Sequence, residues 1–263
     1  MARSAIINVM VQAATKAGRS LARDFGEVQN LQVSLKGPGD YVSQADKKAE
    51  EILFQELSRA RPGYSFLMEE GGAVEGDDPQ HRFIIDPLDG TTNFLHGLPL
   101  FCISIALERQ GQLVAAVIYN PAMDELYTAE RGGGAYMNDR RLRVAGRTKL
   151  SDAVIGTYVP HLGKGGHGDA LVQTRNVMVE TSGIRSIGAA ALNLAYVAAG
   201  RLDGYWEDGM HPWDVAAGML LIREAGGFVT DRSGGPDIFA KSEVVAGNEA
   251  IHKALLATLA KGI

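Results

Sequence analysis

Apolar residues at Ile6, Met10, Ala13, Ala14, Ala17, Leu21 and Phe25 recur every three or four positions, so the chain opens with an amphipathic helix laid on a core. Asn8, Gln12, Lys16 and Arg19 interrupt the same segment. That excludes a membrane span or the apolar stretch of an export signal and predicts a soluble, cytoplasmic protein. The polar run Lys36-Gly37-Pro38-Gly39-Asp40 reads as a loop. Ser43 and Asp46 then open a second helix as a capping-box pair, with Ala49, Ile52, Leu53 and Leu57 on its apolar face and Pro62-Gly63 at its end. Short apolar runs follow at Phe66-Leu67-Met68, ending in Glu69-Glu70, and at Arg82-Phe83-Ile84-Ile85, ending in Asp86-Pro87. Residues 101–107, 113–119 and 125–129 read as successive strands, broken at Gly111, Asn120-Pro121 and Gly132-Gly133-Gly134, with a further turn at Asn138-Asp139.

The second half alternates. A strand at 153–159 leads into a glycine-rich loop and a helix from about residue 169. A helix over 189–199 ends at Gly200, and a strand follows at 203–207. A helix from Val215 to Glu224 closes at Gly226-Gly227, then come strands at 228–230 and 244–246 and a last helix after Asn248. The pattern divides into an α+β half over 1–145 and an α/β half over 146–263, with a soft boundary inside one compact unit.

The 26 Lys and Arg against 31 Asp and Glu, a net charge of −5, argue against wholesale nucleic-acid binding. A single cysteine, Cys102, excludes an intrachain disulfide framework and fits a reducing compartment.

Chemistry concentrates in Ile85-Asp86-Pro87-Leu88-Asp89-Gly90-Thr91-Thr92-Asn93. A buried strand runs into two carboxylates, with the Leu88 carbonyl between them. These are the hard oxygen donors that Mg²⁺ takes. Gly90 allows a tight turn and a close-lying ligand, and a helix opening at Thr91 would turn free N–H groups toward a phosphate. Taken alone, the Asp-x-x-Asp spacing fits more often an Asp-Pro turn followed by a capping aspartate. Glu69, Glu70 and Asp214 shift that balance, although singly they read as loop charges and a helix cap.

Together the segments Glu69-Glu70, Asp86 to Phe94 and Trp213-Asp214-Val215-Ala216-Ala217-Gly218 resemble the signatures of the inositol monophosphatase family. The resemblance continues through Gly183 to Ala190 and Glu224 to Gly227, and so covers most of the chain. It implies a magnesium-dependent, lithium-sensitive phosphomonoesterase with a layered αβαβα sandwich of the sugar-phosphatase type, usually a homodimer. By the same resemblance Glu69, Asp86, Asp89 and Asp214 are metal ligands, with the Leu88 carbonyl, for two to three Mg²⁺ per site. Gly90 and Thr91 hold the phosphate, and Thr91, oriented by Asp46, positions the attacking water. Glu69 counts with them among the catalytic groups. Glu207 meets a sugar or inositol hydroxyl beside Gly188 and Ala190, and Lys36 and Asp40 lie on a loop that closes over the metals. Paired metals can acidify a water and stabilise the leaving oxygen, so in-line attack by metal-bound water without a phosphoenzyme is the expected reaction.

Two positions depart from the family pattern: Met68 stands where Gly is usual, and Ala189 where Ser or Thr is common. Gly163 to Gly168 satisfies G-x-G-x-x-G but does not open a helix directly after a strand, so it reads as a surface loop, His161 and His167 included. The basic stretch Arg131, Arg140, Arg141, Arg143, Arg147 and Lys149 reads as a solvated face or as a contact for an acidic protein or RNA. Inositol 1-phosphate is the leading substrate. Alternatives are a fructose-1,6-bisphosphate, NADP or adenosine bisphosphate phosphatase, or a partner of RNA polymerase in a transcription complex.

Overall fold

A computed structural model describes residues 3–27, 33–37, 40–161 and 165–261. Helix α1 (Ala5–Phe25) starts after Ser4, whose hydroxyl accepts from the Ile7 N–H at 3.3 Å. Strands β1 (Val33–Gly37) and β2 (Asp40–Ser43) pair antiparallel, so Lys36, Gly37 and Asp40 lie in a hairpin rather than in an irregular loop. The flanking Val33, Leu35, Tyr41 and Val42 are strand formers that outweigh the polar centre. Pro38 and Gly39 fall outside the described residues. Helix α2 (Gln44–Ala60) opens with the expected reciprocal cap, Ser43 donating from N and Oγ to Asp46 and accepting from the Ala45 N–H.

The main sheet comprises β3 (Tyr64–Met68), β4 (Gly72–Val74), β5 (Asp78–Asp89), β6 (Cys102–Arg109), β7 (Gln112–Asn120), β8 (Glu125–Glu130), β9 (Gly134–Met137) and β10 (Arg140–Arg141), in the order β10-β9-β8-β7-β6-β5-β3-β4. Only β3 and β5 run parallel. A second sheet of β11 (Val154–Thr157), β12 (Gly183–Ser186), β13 (Gly204–Asp208), β14 (Phe228–Thr230) and β15 (Glu243–Gly247) has the order β12-β11-β13-β15-β14.

Strand periodicity assigns the layers, because alternate residues face opposite sides. Phe83, Ile85, Ile103, Ile105, Leu107, Ala115 and Val117 form one core with α1 and α2. Their neighbours Ile84, Cys102, Ala106, Ala116 and Ile118 form another with α5 (Ala190–Ala198) and α6 (Pro212–Glu224). Tyr205, Val244 and Ala246 close that same core from the second sheet. Ile155, Trp206 and Val245, on its far side, pack with α4 (His167–Met178) and α8 (Glu249–Leu259). The result is the expected αβαβα sandwich, with α3 (Thr91–Leu95) and α7 (Ile238–Lys241) as short additions.

Boundaries differ in instructive places. Helix α6 begins at Pro212, three residues before the expected Val215, because Pro is favoured in a first helical turn. β12 carries no strand alternation in its sequence, because Gly183, Arg185 and Ser186 hide it. Helix α4 begins at His167, well after β11 ends, which removes any dinucleotide-binding turn from 163–168; Gly163 and Lys164 lie outside the described residues.

Helices α5 and α6 are apolar almost all round, as a layer between two sheets must be. They fit there because the facing residues are small. A Cβ built on Gly218 would lie 2.4 Å from the Leu194 Cβ, so the two helices meet at a bare backbone. Gly218→Ala should therefore destabilise the chain by about 1–3 kcal/mol, read as a lower urea midpoint with little change in slope.

Candidate active site

Asp86 and Asp89 are three residues apart on β5, a spacing that would send them to opposite faces of a regular strand. The register shows how they come together. Asp86 pairs with Ser104 and Asp89 with Cys102, so β5 spends three steps where β6 spends two. That bulge returns Asp89 to the α5/α6 side. Leu88, between them, buries its side chain in the α1/α2 core, leaving its backbone carbonyl for the site.

The parallel β3–β5 pairing sets Met68 beside Ile85, so the next residue, Glu69, reaches Asp86, and their carboxyl groups hydrogen-bond. Asp214 enters from the first turn of α6, where it accepts from the His211 N–H at 2.7 Å. Ser104 Oγ donates to the Trp213 carbonyl at 3.1 Å and ties that turn to β6. Asp89 accepts from the Ala190 and Ala191 N–H groups at 3.1 and 2.8 Å, at the start of α5.

Gly90 has φ of +93°, left-handed backbone that favours glycine, and a Cβ there would lie 2.9 Å from the Leu100 carbonyl. Helix α3 begins at Thr91, as expected. The Thr91 hydroxyl lies 2.9 Å from Asp46 Oδ1 and 3.1 Å from the Leu88 carbonyl. Both are acceptors, so its one proton is engaged and its lone pairs remain to accept. Asp46 is buried and held from behind by Ser43; burial raises its pKa against those hydrogen bonds.

A cavity of about 450 Å³ joins these groups to the second sheet. Asp89, Gly188, Ala190, Glu207 and Asp214 line it. Glu207 accepts a hydrogen bond from the Tyr205 hydroxyl. Asn93 donates to the Leu100 and Ile187 carbonyls at 2.7 and 2.8 Å, and so holds the Gly188 turn against α3.

The electrostatics are those of crowded, desolvated acids. Burial, then repulsion from Glu69, Asp89 and Asp214, pushes the Asp86 carboxyl well above its ordinary range. Burial raises Asp89 to about 7, against two backbone N–H bonds and with repulsion from Glu207 and Glu69 added. Asp214 is pushed well up by burial and by Asp89. Among the described residues no Lys or Arg forms an ion pair with Asp86, Asp89 or Asp214; their partners include backbone N–H groups, Glu69 and Cys102. Cys102 Sγ lies 3.6 Å from Asp89 Oδ2, and burial and the two aspartates push its thiol well up, so it stays protonated and donates. An oxygen donor set with excess negative charge and no thiolate fits a hard divalent cation.

The structure therefore brings Glu69 and Asp86 against Asp89 and Asp214, and the last two line a cavity together with Gly188, Ala190 and Glu207. Leu88, Gly90, Thr91 and Asp46 adjoin this cluster along the chain or by hydrogen bond. Lys36 and Asp40 lie in the β1–β2 hairpin. Glu70 turns from its neighbour's course, its N–H donating to Glu50 at 2.9 Å. Met68 needs no glycine because it sits in a strand and fills the core. The sequence reading missed Cys102 as a donor to Asp89 and the Ala190 and Ala191 N–H groups as its holders; only the fold makes them neighbours. His161 lies in a loop, as expected, and with Tyr158 and Val159 it lines the cavity.

An acid-lined cleft between the two sheets of an αβαβα sandwich defines a protein of the sugar-phosphatase type. The chain belongs to the inositol monophosphatase family, which it matches over residues 2–263. It is 75% identical to an inositol-1-monophosphatase of Mesorhizobium japonicum over 99% of this chain and 98% of that one. It is 43% identical to Nus factor SuhB of Pseudomonas aeruginosa over 97% and 95% of the two chains. The crystal structure of extragenic suppressor protein suhB from Bartonella henselae superposes with a TM-score of 0.97, at 67% identity, covering 99% of this chain and 100% of that one.

A carboxyl whose pKa rises on folding contributes stability that is full below its unfolded value, near 4, and lost as pH rises through the folded value. For Asp89 that loss ends near 7. In EDTA the melting temperature should fall between pH 5 and 8, and Asp89→Asn should flatten that fall in calorimetric scans.

Proposed function

We propose that the chain is a Mg²⁺-dependent phosphomonoesterase that hydrolyses a small polyol phosphate, with inositol 1-phosphate the leading substrate. The observation that carries this reading is the convergence of Glu69, Asp86, Asp89 and Asp214, of which Asp89 and Asp214 line a cavity that also presents Glu207. The name of the Mesorhizobium relative supports the substrate.

In this reading Glu69, Asp86, the Leu88 carbonyl, Asp89 and Asp214 hold two to three Mg²⁺. The bound metal supplies charge neutralisation at phosphate and leaving oxygens and a more acidic water. The protein's own part is positional. Thr91 Oγ, its proton engaged by Asp46 or the Leu88 carbonyl, accepts a hydrogen bond from the incoming water and so aims the water's lone pair at phosphorus. Gly90 and the first turn of α3 turn backbone N–H groups to the phosphate. Glu207, held by Tyr205, accepts from a substrate hydroxyl, while Tyr158, Val159 and His161 shape the outer wall. Lys36 and Asp40, on the hairpin, close over the metals. The halves 1–145 and 146–263 work as one unit around this cleft.

The exposed apolar side chains of Leu171, Met178 and Val179 support a homodimer, and the single cysteine supports a cytoplasmic setting. Lithium sensitivity goes with the magnesium site. A second reading, a contact role in a transcription complex, is favoured by the name of the Pseudomonas relative. Arg140 and Arg141 are exposed on β10 and open to such a contact, whereas Arg147 is tied to Asp203 at 3.1 Å.

Phosphate release across inositol, sugar and nucleotide phosphates should be fastest with inositol 1-phosphate and be abolished by EDTA. Asp86→Asn should lower kcat about a hundredfold or more, as should Thr91→Ala, with the fold intact by circular dichroism. Glu207→Gln should raise KM about tenfold for polyol substrates. Release indifferent to EDTA and to Asp86→Asn would overturn the metal assignment. Cellular rescue by Asp86→Asn would favour the contact role.

A further inference from the structure

A second cavity, of about 440 Å³, lies between the first turn of α1, the α2–β3 turn and the turn end of the β6–β7 hairpin. It shares no lining residue with the carboxylate-lined cavity. Arg61, Arg109 and Arg131 all reach it. Among the described residues none of the three forms an ion pair: Arg61 donates to the carbonyl of Ala60 and Arg131 to the side chain of Gln112. One carboxylate, Glu130, lines the same space. His81 also lines it, but Asp78 engages its Nδ1 at 2.8 Å and its ring stacks on Tyr64 at 4.4 Å.

Three arginines line this space against one carboxylate, an excess of positive charge on a chain whose net charge is −5. Guanidinium forks match phosphate oxygens in pairs and are weakly hydrated, which suits them to this anion above others. The floor is of another character. Leu107 is buried, and Tyr64 and Val114 are half-buried. A charged rim over an apolar, aromatic floor in a space of this size is the form of a small-molecule site.

We propose that this cavity binds an organic polyphosphate of the nucleoside diphosphate class, its phosphates on Arg61, Arg109 and Arg131 and its apolar part over Tyr64, Leu107 and Val114. The site is separate from the hydrolytic cleft, and its occupancy needs no metal.

Calorimetric titration of the full chain with ADP in EDTA, where the acidic cluster has no cation to attract phosphate, tests this. Saturable binding is expected, weakened about tenfold by Arg109→Gln and further by adding Arg131→Gln. Asp89→Asn should leave it unchanged, and the arginine variants should keep wild-type phosphate release, which shows them folded. Absence of saturable binding, or binding indifferent to the arginine variants, would overturn the site. Inorganic pyrophosphate should bind more weakly than ADP; equal affinity would overturn the organic half of the assignment.

Discussion

Like charges held close together in a poorly hydrated seam repel, and the candidate active site is built on that repulsion. Asp86, Asp89 and Asp214 sit with Glu69 between the main sheet and the helices behind it, and their known partners carry no full positive charge. Without a cation the cluster is tolerable only while it retains protons, as the shared hydrogen bond between Asp86 and Glu69 indicates. The magnesium we propose there would replace those protons, so metal binding and the stability of this seam become one equilibrium.

Holding such a cluster requires backbone that does not yield. Four devices provide it: the bulge in β5, the parallel β3–β5 pair, the reciprocal bond from Asp214 to the N-terminus of α6, and the two N–H groups of α5 on Asp89. They draw on β3, β5, α5 and α6, and small residues at the contacts keep the elements close. Gly218 against Leu194 does this between helices, and Cys102 and Ala106 do it between sheet and helix. Far from this seam, Arg201 grips the buried Glu125 at the start of β8 with two bonds, at 2.8 and 2.7 Å.

Much of the fold could be read from the chain. The amphipathic period of α1, the Ser43–Asp46 cap and the turns at Asn138-Asp139 and Gly200 are local signals, and local physics decides them. β12 and the β1–β2 hairpin were not legible in that way, because Gly183, Arg185, Lys36 and Gly37 carry no strand pattern and pair only when a neighbour is supplied. The acids of the site were legible through the order of their motifs. Their geometry was not: the spacing of Asp86 and Asp89 would place them on opposite faces, and only pairing with β6 shows the extra residue that reunites them.

Periodicity, capping and turn chemistry act over a few residues, so the sequence by itself determined the elements, the donor types and the bare backbone at Gly90. Which donors meet is settled by contacts across long stretches of chain. Glu69 meets Asp86 through a parallel strand pair, Asp89 is held by helix α5 a hundred residues later, and Asp214 arrives on a helix tied to β6. The cavity joining these acids to Glu207, and the arginine-rimmed one beyond them, exist only in the tertiary structure. Both are spaces between elements, and no local interaction along the chain encodes a space.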